Sequence, residues 1–337
     1  MNRYLLTYYL SFFRTLTLKR LSNFLLLNIT YYFSAITRKA FYKGMPASIS
    51  IEPTTSCNLQ CPECPSGLRK FTRATGSLSE ETFNRIVEQL GEKLIYVTFY
   101  FQGEPLLHRS FTDYIQKLSK AKIITATSTN AHFLTEEKAA QIIASGLDRL
   151  IVSVDGADAE TYLKYRRGGN FDQVIENIRR FIEVRKLMKS PKPFVEMQFI
   201  VFKHNEHQIS EMKALAKTLG VDKLAIKTAQ IYEFEKGSPL MPGLVKYSRY
   251  RETAQGVFTL KGHLPNRCYR SWSGSVVTWD GNVVPCCFDK DATHQFGNIM
   301  KTDYKQILQN PDYLKFRQQI LTDRSQIEIC RNCTEGL

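Results

Sequence analysis

From residue 47 to residue 228 the chain alternates strand and helix signals, and this alternation constrains the fold more than any other feature. Strands are expected over 47–53, 94–101, 122–128, 149–155, 194–202 and 223–228, where β-branched and aromatic residues cluster. Helices are expected from Ser79, over 110–120, 135–145, 171–188 and 208–219. Ser79 is a capping residue ahead of Phe83, Ile86, Val87 and Leu90 at helical spacing, and Gly91 closes the run. Thr135 and Gly146 bracket the 135–145 helix in the same way. Repeated strand–helix units bury their strands only in a parallel sheet covered by helices. Six such units are too few for a closed eight-stranded barrel.

A hydrophobic content of 43% without low-complexity tracts describes a core-forming chain. The net charge is +14, and half of it lies in residues 1–45, which carry Arg3, Arg14, Lys19, Arg20, Arg38, Lys39 and Lys43 and no acidic residue. The rest of the chain is only mildly basic, so nucleic acid is not expected as a partner. The longest uncharged stretch near the N-terminus, 21–37, is interrupted by Ser22, Asn23, Asn28 and Ser34, which suits a membrane span poorly. One or two basic amphipathic helices are expected there. Packing on the body of the protein and peripheral contact with an anionic membrane are both open.

Cys57, Cys61 and Cys64 follow the first strand at Cys-x3-Cys-x2-Cys spacing. Three thiolates on one loop can hold a 4Fe–4S cluster and leave one iron open. Structural zinc would need a fourth ligand. The eight cysteines fall largely in clusters, which fits metal ligation in a reducing compartment better than disulfides.

This cysteine run resembles the signature of the radical S-adenosylmethionine (SAM) superfamily, and the resemblance extends from about Ser48 onward. It implies a partial, open (β/α)6 barrel of the α/β class, a SAM-binding 4Fe–4S cluster on Cys57, Cys61 and Cys64, and SAM itself. Gln102-Gly103-Glu104-Pro105 after the second strand resembles the Gly-Gly-Glu motif that holds the SAM amino group, with Gln102 in place of the first glycine. Ser128 and Asn130 after the third strand, and Ser153 and Asp155 after the fourth, stand where the family contacts the methionyl and ribose parts. Either Arg166 or Arg167 is a candidate partner for the SAM carboxylate, with solvated loop arginines as the alternative. The residue before the third cysteine, usually aromatic in the family, is Glu63 here, so adenine contacts must come partly from elsewhere.

The C-terminal pattern Cys268-x12-Gly281-x4-Cys286, closed by Cys330-x2-Cys333, resembles a shortened SPASM ("twitch") domain. Asp280-Gly281 between two short apolar runs predicts a hairpin. The resemblance implies a second, auxiliary 4Fe–4S cluster on Cys268, Cys286, Cys330 and Cys333. Tetrahedral zinc is the alternative for the same four thiolates. Cys287 is a spare thiol beside a ligand.

The expected organisation is an N-terminal helical extension (1–45), a radical-SAM core (46–229), a linker (230–266) and a small auxiliary-cluster domain of hairpin and helices (267–337). The expected activity is reductive SAM cleavage followed by hydrogen abstraction, with net two-electron oxidation of a small molecule through the auxiliary cluster. Modification of a ribosomally made peptide and a non-catalytic iron–sulfur carrier are the alternatives. A reductant such as flavodoxin or ferredoxin is an expected partner. The expected location is cytoplasmic, with membrane association as a variant. Lys227, Asp280 and Asp289 are candidate bases by position only, and no residue is assigned as catalytic.

Overall fold

The structure is a computed structural model that describes residues 3–334; the ends of the expected extension (1–2) and auxiliary domain (335–337) lie outside the described residues. Six strands follow the expected order: β1 (Ser48–Ile51), β2 (Tyr96–Thr98), β3 (Ile124–Thr129), β4 (Arg149–Ser153), β5 (Phe194–Val201) and β6 (Lys223–Thr228). Two more, β7 (Tyr250–Glu252) and β8 (Phe258–Leu260), form a separate antiparallel pair. The last two, β9 (Gly274–Val277) and β10 (Val283–Val284), are the predicted hairpin. The main sheet is mostly parallel, in the order β10-β9-β1-β2-β3-β4-β5-β6. This is the expected α/β architecture of an open barrel.

The helices form where the capping signals lie. Ser79 Oγ accepts from Thr82 N at the start of Glu80–Leu90, and Thr135 accepts from Lys138 N ahead of Glu136–Ser145. The helix Phe171–Leu187 starts at Asn170, whose side chain accepts from Gln173 N, and it buries Val174, Ile175, Ile178, Phe181 and Ile182. The short helix Ala159–Tyr165, capped by Asp158, is an addition to the expected set.

The chain divides into two compact units. One comprises the start of the chain up to Tyr8, Cys57–Lys70 and Thr127–His263. It holds β4 to β6 and an apolar cluster built on Leu59, Tyr165, Phe202, Ile231, Phe234 and Tyr250. The other comprises Tyr9–Ser56, Phe71–Ala126 and the stretch from Leu264 onward. Here β9 pairs in parallel with β1, Ser48 opposite Gly274 and Ile51 opposite Val277, so the C-terminal hairpin extends the same ladder as the first strand. Residues 230–266, expected as a linker, contain the β7–β8 pair and contribute Ile231, Phe234, Met241 and Tyr250 to the apolar cluster of the first unit.

Two helices make up the N-terminal extension, Arg3–Thr15 and Leu18–Thr37. Among the described residues no helix is long and apolar enough to cross a membrane.

Candidate active site and auxiliary centre

In the first unit the 57–64 loop lies on the apolar cluster, with Cys61 buried and Cys57 and Cys64 half-buried against the same residues. The loop is pinned at several points. Asn130 Nδ2 donates to Asn58 Oδ1 at 2.7 Å, Gln60 N donates to Arg167 O at 2.9 Å, and Cys64 N donates to Cys61 O at 3.2 Å. Gly67 packs so closely on Cys61 that a Cβ would stand 2.5 Å from its backbone nitrogen. Asn130 therefore does reach the cysteine loop, and it does so from the end of β3. Glu63 turns away to accept a hydrogen bond from Tyr232 N at 3.0 Å, which ties the loop to the segment after β6.

Asp155 and Arg166 form a buried pair within this unit. Arg166 Nε donates to Asp155 Oδ2 at 2.6 Å, while Asp155 Oδ1 accepts from Ile200 N at 2.8 Å. The Arg166 guanidinium also approaches the Cys61 sulfur at 4.0 Å. Burial opposes the charge on Arg166, but Asp155 and Cys61 outweigh it and hold the group firmly protonated. Burial pushes the Cys61 thiol up, and Arg166 opposes that shift. The resemblance implies a ribose contact for Asp155, and offers Arg166 or Arg167 to the SAM carboxylate with a solvated loop arginine as the alternative. In this geometry Asp155 and Arg166 engage each other, and Arg166 faces a candidate cluster ligand. Ser128 and Ser153, from the ends of β3 and β4, bring their hydroxyls 3.5 Å apart.

The Gly103-Glu104 turn belongs to the second unit and is laced to the residues just before Cys57. Glu104 N donates to Ser56 O at 2.7 Å. Gly103 has φ +72°, and a Cβ there would lie 2.3 Å from Thr54 O, so no other residue fits without moving the backbone. Glu104 is buried and its Oε1 accepts from Leu106 N at 3.1 Å, capping a short 3-10 turn.

Cys268, Cys286, Cys330 and Cys333 all line one small cavity, together with Phe288, Phe316, Ile320 and Ile329. None of the eight cysteines is in a disulfide. Arg324, itself buried, donates to Cys333 Sγ at 3.2 Å and to Arg267 O at 3.0 Å. Four thiols around an apolar cavity with a fixed guanidinium suit an iron–sulfur cluster, whose sulfurs accept hydrogen bonds and whose negative charge a guanidinium offsets. Burial pushes the Cys286 and Cys330 thiols up, so ligation there must be accompanied by proton release. Among the described residues no three His, Cys, Asp or Glu side chains are arranged to hold a single metal ion. Cys287 lies outside the four-cysteine cavity, and its sulfur accepts from Arg270 Nη1 at 3.5 Å.

A second cavity, of about 400 Å³, adjoins the cysteines. Ser48 and Ser50 of β1 and Tyr96 and Thr98 of β2 line it with hydroxyls, and Gly274 and Val276 of β9 line it beside them. Arg267, Arg270, Cys268, Cys286 and Cys287 also line it. No single sequence signal announced this cavity, because its lining comes from three strands distant in the chain.

The candidate bases have other work or open surroundings. Asp280 accepts from Thr278 Oγ1 and Asn282 Nδ2 in the hairpin turn, and Asp289 accepts from Thr293 N, Thr293 Oγ1 and His294 N. Lys227 is exposed.

The model of the radical SAM superfamily matches residues 51–215, and that of an iron–sulfur cluster-binding domain, SPASM, matches residues 268–334. A tungsten-containing aldehyde ferredoxin oxidoreductase cofactor-modifying protein of Pyrococcus furiosus is 24% identical over 84% of this chain and 86% of its own length. A PqqA peptide cyclase of Bradyrhizobium diazoefficiens is 22% identical over 79% of this chain and 71% of its own. The fold is also that of BtrN, solved in complex with AdoMet and 2-DOIA, at a TM-score of 0.53 and 19% identity over 88% of this chain and 95% of that one. These domains bring with them a SAM-binding 4Fe–4S cluster, auxiliary iron–sulfur ligation and SAM, which decides against zinc as the expected occupant of the C-terminal site. The chain belongs to the radical SAM superfamily and carries a C-terminal SPASM-type auxiliary iron–sulfur domain.

Proposed function

We propose that this radical SAM enzyme carries out a net two-electron oxidation of a small, hydroxyl-bearing substrate held in the cavity between β1, β2, β9 and the auxiliary cysteines. The single observation that carries this reading is the lining of that cavity, which combines hydroxyls with Cys268 and Cys286. Its volume, about 400 Å³, lies in the range of small-molecule sites. When bound, the clusters and SAM would supply a 5′-deoxyadenosyl radical to remove a hydrogen atom and an acceptor for the electron left behind, while the substrate hydroxyl releases its proton to solvent. Cys57, Cys61 and Cys64 would hold the SAM-binding cluster, with Arg166 at Cys61 offsetting the negative charge. Gly103, Glu104, Ser128, Asn130 and Ser153 would line the SAM site. Asp155 would act there by positioning Arg166. Cys268, Cys286, Cys330 and Cys333 would hold the auxiliary cluster, leaving no iron open for substrate. Ser50 and Thr98, opposite each other across β1 and β2, would orient the substrate hydroxyls.

A second reading is modification of a ribosomally made peptide. The similarity to a PqqA peptide cyclase over most of the chain supports it at least as directly as the cavity supports oxidation of a small molecule. A reductant such as flavodoxin or ferredoxin, and a cytoplasmic location with peripheral membrane contact, complete the proposal.

The test is anaerobic reconstitution of the full chain, followed by iron and sulfide counts and assay of 5′-deoxyadenosine with dithionite and SAM. About eight irons, falling to about four when Cys57, Cys61 and Cys64 are all replaced by Ala, is the expected result. Polyols that raise deoxyadenosine formation and appear with one new carbonyl per turnover would support the oxidation. Stimulation by a precursor peptide alone, with a new cross-link in the peptide, would overturn it in favour of the second reading.

A further inference from the structure

We propose that the helix Leu18–Thr37 is an interfacial anchor that seats this protein on an anionic lipid surface. The helix is amphipathic in the reverse of the usual sense. Its buried positions are largely polar: Arg20, Asn23, Thr30 and Ser34 face the protein with Leu27 and Tyr31. Its outer stripe is apolar, running Leu18, Leu21, Leu25, Ile29, Tyr32 and Ile36 at three- and four-residue steps, with Leu18 87% and Ile36 81% exposed. Phe13 and Leu16, just before the helix in the chain, are 70% and 52% exposed as well. Six exposed apolar residues in register on one helix mark a contact site rather than scattered surface leucines.

The inward polar groups lock the stripe outward. Arg20 donates to the carbonyls of Thr15, Lys122, Gly91 and Ala121 at 2.8–3.1 Å. Asn23 makes a reciprocal pair with Met45, donating to its carbonyl and accepting from its N–H, both at 2.8 Å. Ser34 does the same with Phe41, at 2.9 and 3.0 Å. Rotating the helix to bury its apolar face would break all of these bonds.

Charge selects the occupant. Residues 1–45 hold seven bases and no acid. Arg14 stands exposed near the start of the stripe, as does Lys19, whose charge Glu92 offsets at 2.8 Å, and Arg38, Lys39 and Lys43 stand exposed beyond its end. A second copy docking through the same face would bring basic ends against basic ends, since a two-fold contact uses the same patch, with the same net charge, on both copies. An anionic headgroup layer complements both ends, while the apolar stripe enters the acyl boundary. The exposed rings of Tyr32 and Phe33 suit that boundary. Because no described helix is long and apolar enough to cross a bilayer, the contact is interfacial.

The test is vesicle flotation of the full chain with phosphatidylglycerol/phosphatidylcholine mixtures, beside pure phosphatidylcholine. Binding to the anionic vesicles is expected to exceed that to phosphatidylcholine by about tenfold or more, and to weaken at about 0.5 M salt. Leu25→Glu with Ile29→Glu should weaken binding to both vesicle types by about tenfold or more. Lys39→Glu with Lys43→Glu should weaken binding only to the anionic ones. Ile36→Asp serves as a second apolar variant if the Glu pair fails to fold by circular dichroism. No flotation of the wild type, equal flotation on both vesicles at any salt, or wild-type flotation of a folded apolar-face variant would each overturn the proposal. A dimer that the apolar-face variants dissolve, with no flotation, would assign the face to a second copy instead. Flotation needs no turnover, so its outcome is independent of the substrate reading above.

Discussion

Arg166 Nε donates to Asp155 Oδ2 over 2.6 Å, in a pair where Asp155 has no solvent-exposed surface. A buried pair is costly to break from one side, because the remaining charge stays desolvated. Arg166→Leu is expected to lower unfolding stability by about 3 kcal/mol, and Asp155→Leu to do likewise. The Asp155→Leu/Arg166→Leu double variant should recover part of that loss. Urea midpoints of the four proteins, read as a double-mutant cycle, measure the coupling. Additive losses would mean that the pair acts as two independent groups.

Gly103→Ala is expected to be the most damaging small substitution in the molecule. The added methyl would meet Thr54 O at 2.3 Å on a backbone with φ +72°. The strain should cost about 1–3 kcal/mol. It should also displace Ser56, and with it Cys57, so that 5′-deoxyadenosine formation falls further than thermal stability does. Equal SAM cleavage by Gly103→Ala and the wild type would separate the turn from the SAM site.

Acidification should destabilise the protein through its buried histidines. His132 accepts from Asn170 N at Nε2 over 2.9 Å, and its Nδ1 lies 3.0 Å from Asn130 Oδ1, so the ring is neutral with its proton on Nδ1. Burial lowers its pKa, as it does those of His108 and His204. The unfolded chain therefore takes up more protons than the folded one once pH drops below the ordinary histidine value of about 6.5. Full stability is present above that value and declines below it, with a slope of at most about 1.4 kcal/mol per pH unit for each histidine. Melting temperatures taken from pH 7.5 down to 5.5 should fall. His132→Gln should flatten the profile, and an unchanged slope would remove His132 from the account.

Local signals made much of the fold legible, and contacts between distant segments account for what was not. Ser79, Thr135 and Gly146 mark helix ends because a cap acts within four residues of itself, and all three act where expected. Asp280-Gly281 announces the β9–β10 hairpin for the same reason. The placement of β9 beside β1 has no local signature, since more than two hundred residues separate Ser48 from its partner Gly274. The strands β7 and β8 are three residues each and mix Arg251, Glu252 and Thr259 with apolar residues, so neither period stands out. The cysteine loop was legible as a ligand run. Its support by Asn130, Arg166 and Arg167 depends on strand ends meeting in space. The reversed face of Leu18–Thr37 was half legible: the composition announced an amphipathic helix, but which side faces in depends on partners such as Gly91 and Ala121.

The two adjacent cysteines of the auxiliary domain should separate cleanly. Cys286 lines the cavity shared with Cys268, Cys330 and Cys333, while Cys287 lies outside it. Cys286→Ala is expected to cut reconstituted iron by about four atoms per chain. Cys287→Ala should leave the iron content unchanged. The reverse pattern would make Cys287 the ligand and move the auxiliary cluster toward the larger cavity.

Filling that larger cavity should tell the two substrate readings apart. Ser50 and Thr98 face each other across β1 and β2 and line the space beside Cys268 and Cys286. Replacing each in turn by Leu adds apolar bulk to a pre-formed space, so the stability cost should stay near the lower end of the range of about 1–3 kcal/mol for overpacking. Oxidation of a small substrate should then fall by a factor of about ten or more, since a hydroxyl contact is lost and the volume shrinks together. Deoxyadenosine formation without substrate should persist, because neither residue is among the candidate SAM ligands. A peptide substrate reaches beyond a space of about 400 Å³ and makes most of its contacts elsewhere. Its modification should lose far less. Turnover of a peptide that survives both substitutions, alongside loss of all small-molecule oxidation, would place the cavity outside the enzyme's principal reaction.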